Sequence, residues 1–474
     1  MKQFLLLCLT ATNLFVCTAQ NTTVSIDSLM NSVEYFSDPA CMGRLPGTNG
    51  YDIAAEFAIK KFHNWGIKTF NQYPDYKQVV PLETNLISGP CDFHIVHFEK
   101  GIINSQLGES HSFRGFTGSG EMTVETVFCG FGIQNKDYND YANVDVKGKA
   151  VLIFKGNPSF ESGKNYEPFS IRGRAKTAHE HGAAAVIFIP EPGTDRTKPI
   201  GSVMCGDGEH IHNLPMLQTD PELTDALFDG SGFSLQQLHQ EILNKGKPHS
   251  LQLPSKVYIN VSAQYHQQID AYNIIGYIEG ADENLKDEFV FITAHLDHVG
   301  YQCDVIYPGA NDNASGSAAV LEMARLFSTD RPDRSVAFIL FTAEESGLHG
   351  AQFLADNLPV PVSNIVAAFN SDCIAVGDSI QIGNGESWPE LYNLCKSKDS
   401  DNLIINRTWG GGGADLTPLH NAGIQGLYFV TRYSYTHLHL PSDTPETLNQ
   451  DLFLKITELL WRTTKSAASD TYKK

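Results

Sequence analysis

Basic residues are scarce in this chain: 34 Lys and Arg stand against 54 Asp and Glu over 474 residues, a net charge of -20 at pH 7. That balance argues against nucleic acid and anionic membrane surfaces as partners. Long apolar runs are also missing. Beyond Val16 nothing approaches the roughly 18 apolar residues that a membrane-spanning helix needs. Cysteine is thin as well, with nine in all and no CxxC pair, so a thiolate zinc site is not indicated. Cys8 and Cys17 fall in the N-terminal segment. The odd, widely spaced remainder (Cys41, Cys91, Cys129, Cys205, Cys303, Cys373 and Cys395) is no small disulfide scaffold, although one or two bridges stay open. Neither an internal repeat nor a low-complexity tract is apparent.

What is present is a globular composition, with 42% hydrophobic and 19% charged residues, and a length that suits two or three domains. Lys2, the apolar run from Phe4 to Val16 and the small residues of Cys17-Thr18-Ala19 read as a secretory signal peptide, residues 1–19, cut near Ala19. Secretion or export to a periplasm is therefore expected. Bulky Val16 disfavours a lipid anchor on Cys17.

Helical spacing covers Ile26 to Phe36 and Tyr51 to Trp65, separated by the Gly/Pro-punctuated ACMGRLPGTNG. From about Ser112 the texture turns strand-rich, with Val124 to Phe131, AVLIFKG and, after a helix with a Gly stop, AAAVIFIP. This predicts a separate inserted unit over 112–258. The host, 20–111 and 259–474, then alternates strands (Glu288 to Ala294, Ser335 to Thr342, Ile365 to Asn370, Ile424 to Val430) with helices (Ser315 to Phe327, His349 to Asn357, Glu446 to Arg462). Such alternation predicts an α/β, doubly wound mixed sheet.

Metal-ligand residue types gather where these apolar runs stop. His295, Asp297 and His298 end one strand, Asp312 sits in the turn PGANDNASG, and Glu344 and Glu345 end another strand. Asp372, Asp415 and His439 follow later strands. Each has a plain structural alternative: Asp312 suits a helix N-terminus, and Thr342 to Glu345 matches a capping box. Their shared position at the carboxyl ends of successive strands is what points to a His/Asp/Glu metal centre.

The motifs AHLDH, GANDNASG, TAEESGLHG, FNSDC and HLPSDTP, in this order, resemble the co-catalytic dizinc aminopeptidases related to glutamate carboxypeptidase II. GRLPGTNGY resembles the start of that catalytic domain, and DVKGKAVLIFKG with HGAAAVIF resembles a β-rich protease-associated insert. The resemblance implies a zinc-exopeptidase fold holding two Zn2+, with His295 and Asp372 on one ion, Glu345 and His439 on the other, and Asp312 between them. Asp297 would orient His295, and Glu344 would be the general base. Cobalt or manganese would also suit all-N/O ligands. The implied activity is removal of N-terminal residues from peptides. The alternatives are a carboxypeptidase or dipeptidase on the same centre, a single-zinc glutaminyl cyclotransferase, and a non-catalytic receptor-like module. Two departures stand out: Leu438 where the family often has a tyrosine, and Ala414-Asp415-Leu416 where relatives read Ser-Asp-His. Cys373, next to Asp372 on an extended segment, is expected to point the other way.

Overall fold

The computed structural model describes residues 23–160, 170–193 and 210–473. The expected signal peptide and Cys205 lie outside them. The host contains a seven-stranded sheet in the order Lys77–Leu86, Gln264–Ile278, Ser335–Phe341, Phe289–His295, Ile365–Ser371, Gly426–Thr431, Ile380–Gly383. The middle four run parallel and the outer pairings are antiparallel. Every residue of those four parallel strands is buried, as their unbroken apolar runs require of strands covered on both faces.

Helices Ile26–Phe36, Asn49–Asn64, Gly316–Thr329 and Gln450–Ala467 line one face, where Phe327 meets Trp461 with ring centroids 4.6 Å apart. Residues of His349–Asp356 and Leu416–Asn421 pack on the other. The sheet is doubly wound, as expected. Among the parallel strands the first in sequence lies between the second and the third. The winding therefore reverses between Phe289–His295 and Ile365–Ser371, which opens a crevice at their carboxyl ends.

Several boundaries differ from expectation. Gly130 and Gly132, at φ of 48° and 69°, end the Gly120–Phe128 strand before Phe131. The last helix starts at Gln450 because Pro445–Thr447 forms a short 3-10 turn and the Asn449 side chain caps the Leu452 amide. Ser315 does not cap the helix after it. Its hydroxyl donates back to the Asn311 carbonyl at 2.7 Å.

A second, eight-stranded sheet has the order Gly101–Asn104, Cys91–His97, Leu251–Val261, Gly120–Phe128, Ala150–Phe154, Ala185–Ile189, Met216–Thr219, His111–Phe113. It reaches beyond the expected 112–258 at both ends. Cys91–His97 joins because Phe93 and Ile95 point into its core, and its backbone pairs with Leu251–Val261. A Cys91–Cys303 disulfide fastens this sheet to the host across 212 residues of sequence. Closing so long a loop removes about 5 kcal/mol of unfolded-chain entropy.

Inside the second sheet, burial raises the Asp140 carboxyl to about 7 against hydrogen bonds from the Ile133 amide and the Tyr138 hydroxyl. Unfolded, the group titrates near 3.9. Between about pH 4 and 7 the folded chain keeps a proton that the unfolded chain has released. Stability from this group is therefore full below pH 4 and is lost as pH rises to 7. Asp140→Asn is expected to flatten that fall, whatever fixed offset it adds. Thermal midpoints of both proteins at pH 4.5 to 7.5 check it, and parallel pH slopes would refute it.

Candidate metal centre

The reversal crevice is where the ligand-type side chains meet. His295, the last residue of its strand, is buried, and its Nδ1 lies 3.1 Å from the Asp297 carbonyl. That leaves Nε2 facing Asp372 Oδ1 at 3.4 Å, Asp312 Oδ1 at 3.5 Å and Glu344 Oε2 at 3.9 Å. A second group forms on the other oxygen of Asp312. His439 Nε2 is 3.2 Å from Asp312 Oδ2 and 2.8 Å from Glu345 Oε2. His298 Nδ1 joins it, 2.8 Å from Glu345 Oε1 and 3.7 Å from Asp312 Oδ2. Asp312 thus turns one carboxylate oxygen to each cluster.

The loops are set by side chains that bond main-chain groups. Asp443 accepts from the Asn311 and Asp312 amides at 2.9 and 3.0 Å. Asn313 bridges from the Asp312 loop to the Asp372 strand, donating to the Ser371 carbonyl at 2.9 Å and accepting from the Cys373 amide at 3.3 Å. Asn311 donates to the Ser434 carbonyl at 3.0 Å, which ties in the loop of His439. Ala343, at φ of 57°, swings the chain out of its strand so that Glu344 and Glu345 both enter the crevice. The capping box that Thr342 to Glu345 would allow does not form, since the next helix begins at His349.

Two expectations are corrected. The Asp297 carboxylate is 3.8 Å from the His295 ring, too far for a hydrogen bond. It accepts instead from the Glu344 and Glu345 amides at 3.2 and 3.3 Å, so the carbonyl of Asp297 orients the imidazole and its side chain holds the two glutamates. Cys373 does not point away. Its φ of 52° breaks strand alternation, and its sulfur lies within 4.8 Å of the Asp312 and Asp372 oxygens. Burial, with the charges of Asp312, Asp372 and Asp443, raises the pKa of that thiol well above its usual value.

Asp415 is placed beside the centre rather than in either cluster. It is buried, and neither carboxylate oxygen finds a hydrogen-bond partner. Sequence reasoning counted His298 among the ligand residue types at a strand end but assigned it to neither ion. Tyr428, whose hydroxyl donates to Asp372 Oδ2 at 2.8 Å, carried no signal beyond its place in a strand.

Electrostatics separates the two adjacent glutamates. Burial raises Glu344 well above the carboxylate range, reinforced by the charges of Asp415, Glu345 and Asp372 and opposed by His295. Glu345 is the less exposed of the two, but the charge of His439 and hydrogen bonds from His298 and His439 outweigh burial and carry it well below that range. Burial pushes Asp297 up to about 7. Burial depresses His439 less than the Glu345 charge and the Asp312 hydrogen bond raise it, and it ends near 10. The imidazole nitrogens and carboxylate oxygens are the donor set of zinc. A buried crowd of carboxylates is also chemistry that a divalent cation would relieve. The residues fit the group.

Comparisons with known proteins agree. The fold is that of solved zinc aminopeptidases. An aminopeptidase from Aneurinibacillus sp. strain AM-1 superposes with a TM-score of 0.65 at 20% identity over 94% of each chain. BSAP, a zinc aminopeptidase from Bacillus subtilis, gives 0.64 at 20% identity, covering 96% of this chain and 98% of that one. Residues 273–464 match the family pattern described as Peptidase family M28, and residues 121–226 match the PA domain. The chain belongs to peptidase family M28 and carries an inserted PA domain. Aminopeptidase YwaD of Bacillus subtilis (strain 168) is 28% identical over 346 residues, 70% of this chain and 64% of its own length. An aminopeptidase of Pseudomonas aeruginosa (strain UCBPP-PA14) is 30% identical over 253 residues, 52% of this chain and 39% of its own. The chain thus spans less than two thirds of the length of these curated relatives.

Asp297→Asn keeps one good acceptor for two buried amides. It is expected to destabilise the metal-free protein by about 1–3 kcal/mol in urea unfolding. An unchanged midpoint would mean that the backbone at Glu344 and Glu345 is held by other contacts.

Proposed function

We propose that this chain is an exported zinc-dependent aminopeptidase that binds two Zn2+ and removes N-terminal residues from peptides. The observation that carries it is the split carboxylate of Asp312, with Oδ1 facing His295 and Oδ2 facing His439. In this reading His295 and Asp372 would hold one ion and Glu345 and His439 the other, with Asp312 contributing to both. Zinc, when bound, would supply a lowered pKa for the attacking water and stabilisation of charge on the substrate carbonyl.

The protein's own part is proton transfer and positioning. Glu344 is the residue placed to take a proton from the attacking water and pass it to the departing amine, and burial raises its pKa above the usual carboxylate range. Asp297 holds the backbone of Glu344 and Glu345. The carboxylates of Glu344 and Asp372 give the free α-amine of the substrate an anionic seat. With Leu438 in place of a tyrosine, Tyr435 is the phenol proposed for the oxyanion; its hydroxyl bonds to that of Tyr428 beside Asp372.

A terminal carboxylate would need a cation in the crevice. Arg432 is exposed and lies over the Tyr433 ring, 4.5 Å from its centroid, which favours amino- over carboxy-terminal specificity. Export is proposed from the Lys2 to Ala19 segment, and the Cys91–Cys303 disulfide suits an oxidising compartment. Among the described residues no helix is long and apolar enough to cross a membrane.

The test is a panel of aminoacyl, N-acetylated and C-terminal peptide substrates, with and without a chelator, beside a zinc count. Hydrolysis confined to free N-termini, lost on chelation, with two zinc per chain is expected. Glu344→Gln should lose about 10²–10⁴-fold in rate and keep its zinc. Hydrolysis from the C-terminus, or one zinc per active chain, would overturn the proposal.

A further inference from the structure

Resting on the metal-centre reading above, we propose that Arg44 and Asp443 are positioning residues. They form a clamp of opposite charges that sets the loop of the bridging Asp312 before a cation binds. Arg44 is wholly buried, and a buried cation usually sits on a carboxylate. Here its donors go to carbonyls instead. Nε donates to Leu296 at 2.7 Å, Nη1 to Phe36 at 2.7 Å and to Pro308 at 2.6 Å, and Nη2 to Gly309 at 2.8 Å and, longer, to Asp312 at 3.4 Å. A guanidinium has five N–H groups, and main-chain oxygens account for all of them.

Asp443, also buried, works from the other polarity. Its carboxylate takes the Asn311 and Asp312 amides, and its carbonyl takes the Ala310 amide at 3.1 Å. The stretch from Pro308 to Asp312 is therefore held by its carbonyls on a cation and by its amides on an anion. Asp312 is gripped at both ends of its own backbone. The Leu296 carbonyl lies between His295 and Asp297, so one guanidinium links the His295 strand end to the Asp312 loop. Phe36, at the end of the Ile26–Phe36 helix, anchors that guanidinium from outside the crevice. Arg44 lies outside residues 273–464, so an anchor of the centre comes from the N-terminal part of the host.

Charge and position act with opposite signs at Arg44; at Asp443 both weaken cation binding, so there the cobalt bands carry the test. Removing a positive group from an acidic crevice would by itself tighten cation binding. Losing the grip on the ligand loops would weaken it. Arg44→Lys keeps the charge but lacks the planar fork, and Asp443→Asn keeps one acceptor without the charge. The full chain of each variant is measured metal-free for thermal midpoint, with zinc by chelator competition, and with cobalt for its visible d–d bands. Expected are folded proteins, zinc binding weakened about 10–100-fold in both, and shifted cobalt bands. Wild-type zinc affinity and cobalt spectrum with a lowered midpoint would leave the pair a merely structural role and overturn the proposal. Tighter zinc binding, or failure of both variants to fold, would overturn it too. A wild-type chain that takes up no zinc would instead overturn the metal centre itself.

Discussion

Like charge buried in one crevice is the constraint on which the rest of this molecule depends. Asp297, Asp312, Glu344, Glu345, Asp372, Asp415 and Asp443 share a region where His295, His298 and His439 are the facing imidazoles. Uncompensated, carboxylates in such a place cost far more than a domain's whole stability. The protein answers in two ways. Burial pushes the pKa of Glu344 and Asp415 well above the carboxylate range, while the charges of Glu344 and Glu345 raise those of His295 and His439 against burial. A cation held here, as proposed, would compete with protons for the same groups.

The reversal of sheet winding explains why the crevice lies where it does. Ile365–Ser371 lies directly beside Phe289–His295, so Asp372 arrives opposite His295 by register alone. Main-chain bonds then do what regular structure cannot. The Asp312 loop is irregular and buried, so each of its polar groups needs a partner, and side chains from distant loops provide them. A site built this way is stiff because its scaffold is hydrogen-bonded backbone rather than long side chains in solvent.

Much of this was legible in the sequence. The four parallel strands announced themselves as unbroken apolar runs; ligand-type residues stopped three of them, and His439 lies a loop beyond the fourth. The inserted unit was visible as a change of texture, but its edges were not. Cys91–His97 belongs to the second sheet only through pairing with a strand some 160 residues away, and local pattern carries no record of that. Nor could the left-handed turns at Ala343 and Cys373 be read, because neither residue is one that prefers them. Those turns are imposed by tertiary contacts, and they decide that both glutamates and the thiol face inward. Likewise Asp297 looked like an imidazole partner from its spacing, yet its main-chain carbonyl is closer to the ring than its carboxylate.

The contrast between Glu344 and Glu345 shows how finely such contacts sort chemistry. They are neighbours just past one strand end, and their amides share one acceptor in Asp297. Local sequence gives no reason to tell them apart. What does so is their company: Glu345 meets His298 and His439, while Glu344 has only His295 at 3.9 Å and the charge of Asp415 nearby. Two carboxyls pushed in opposite directions by their surroundings are suited to opposite tasks. The one held ionised can bind a cation. The one that accepts a proton readily can carry it from water to a departing amine. In the proposed reading, exchanging the two residues' environments would leave the composition of the crevice unchanged and remove its base.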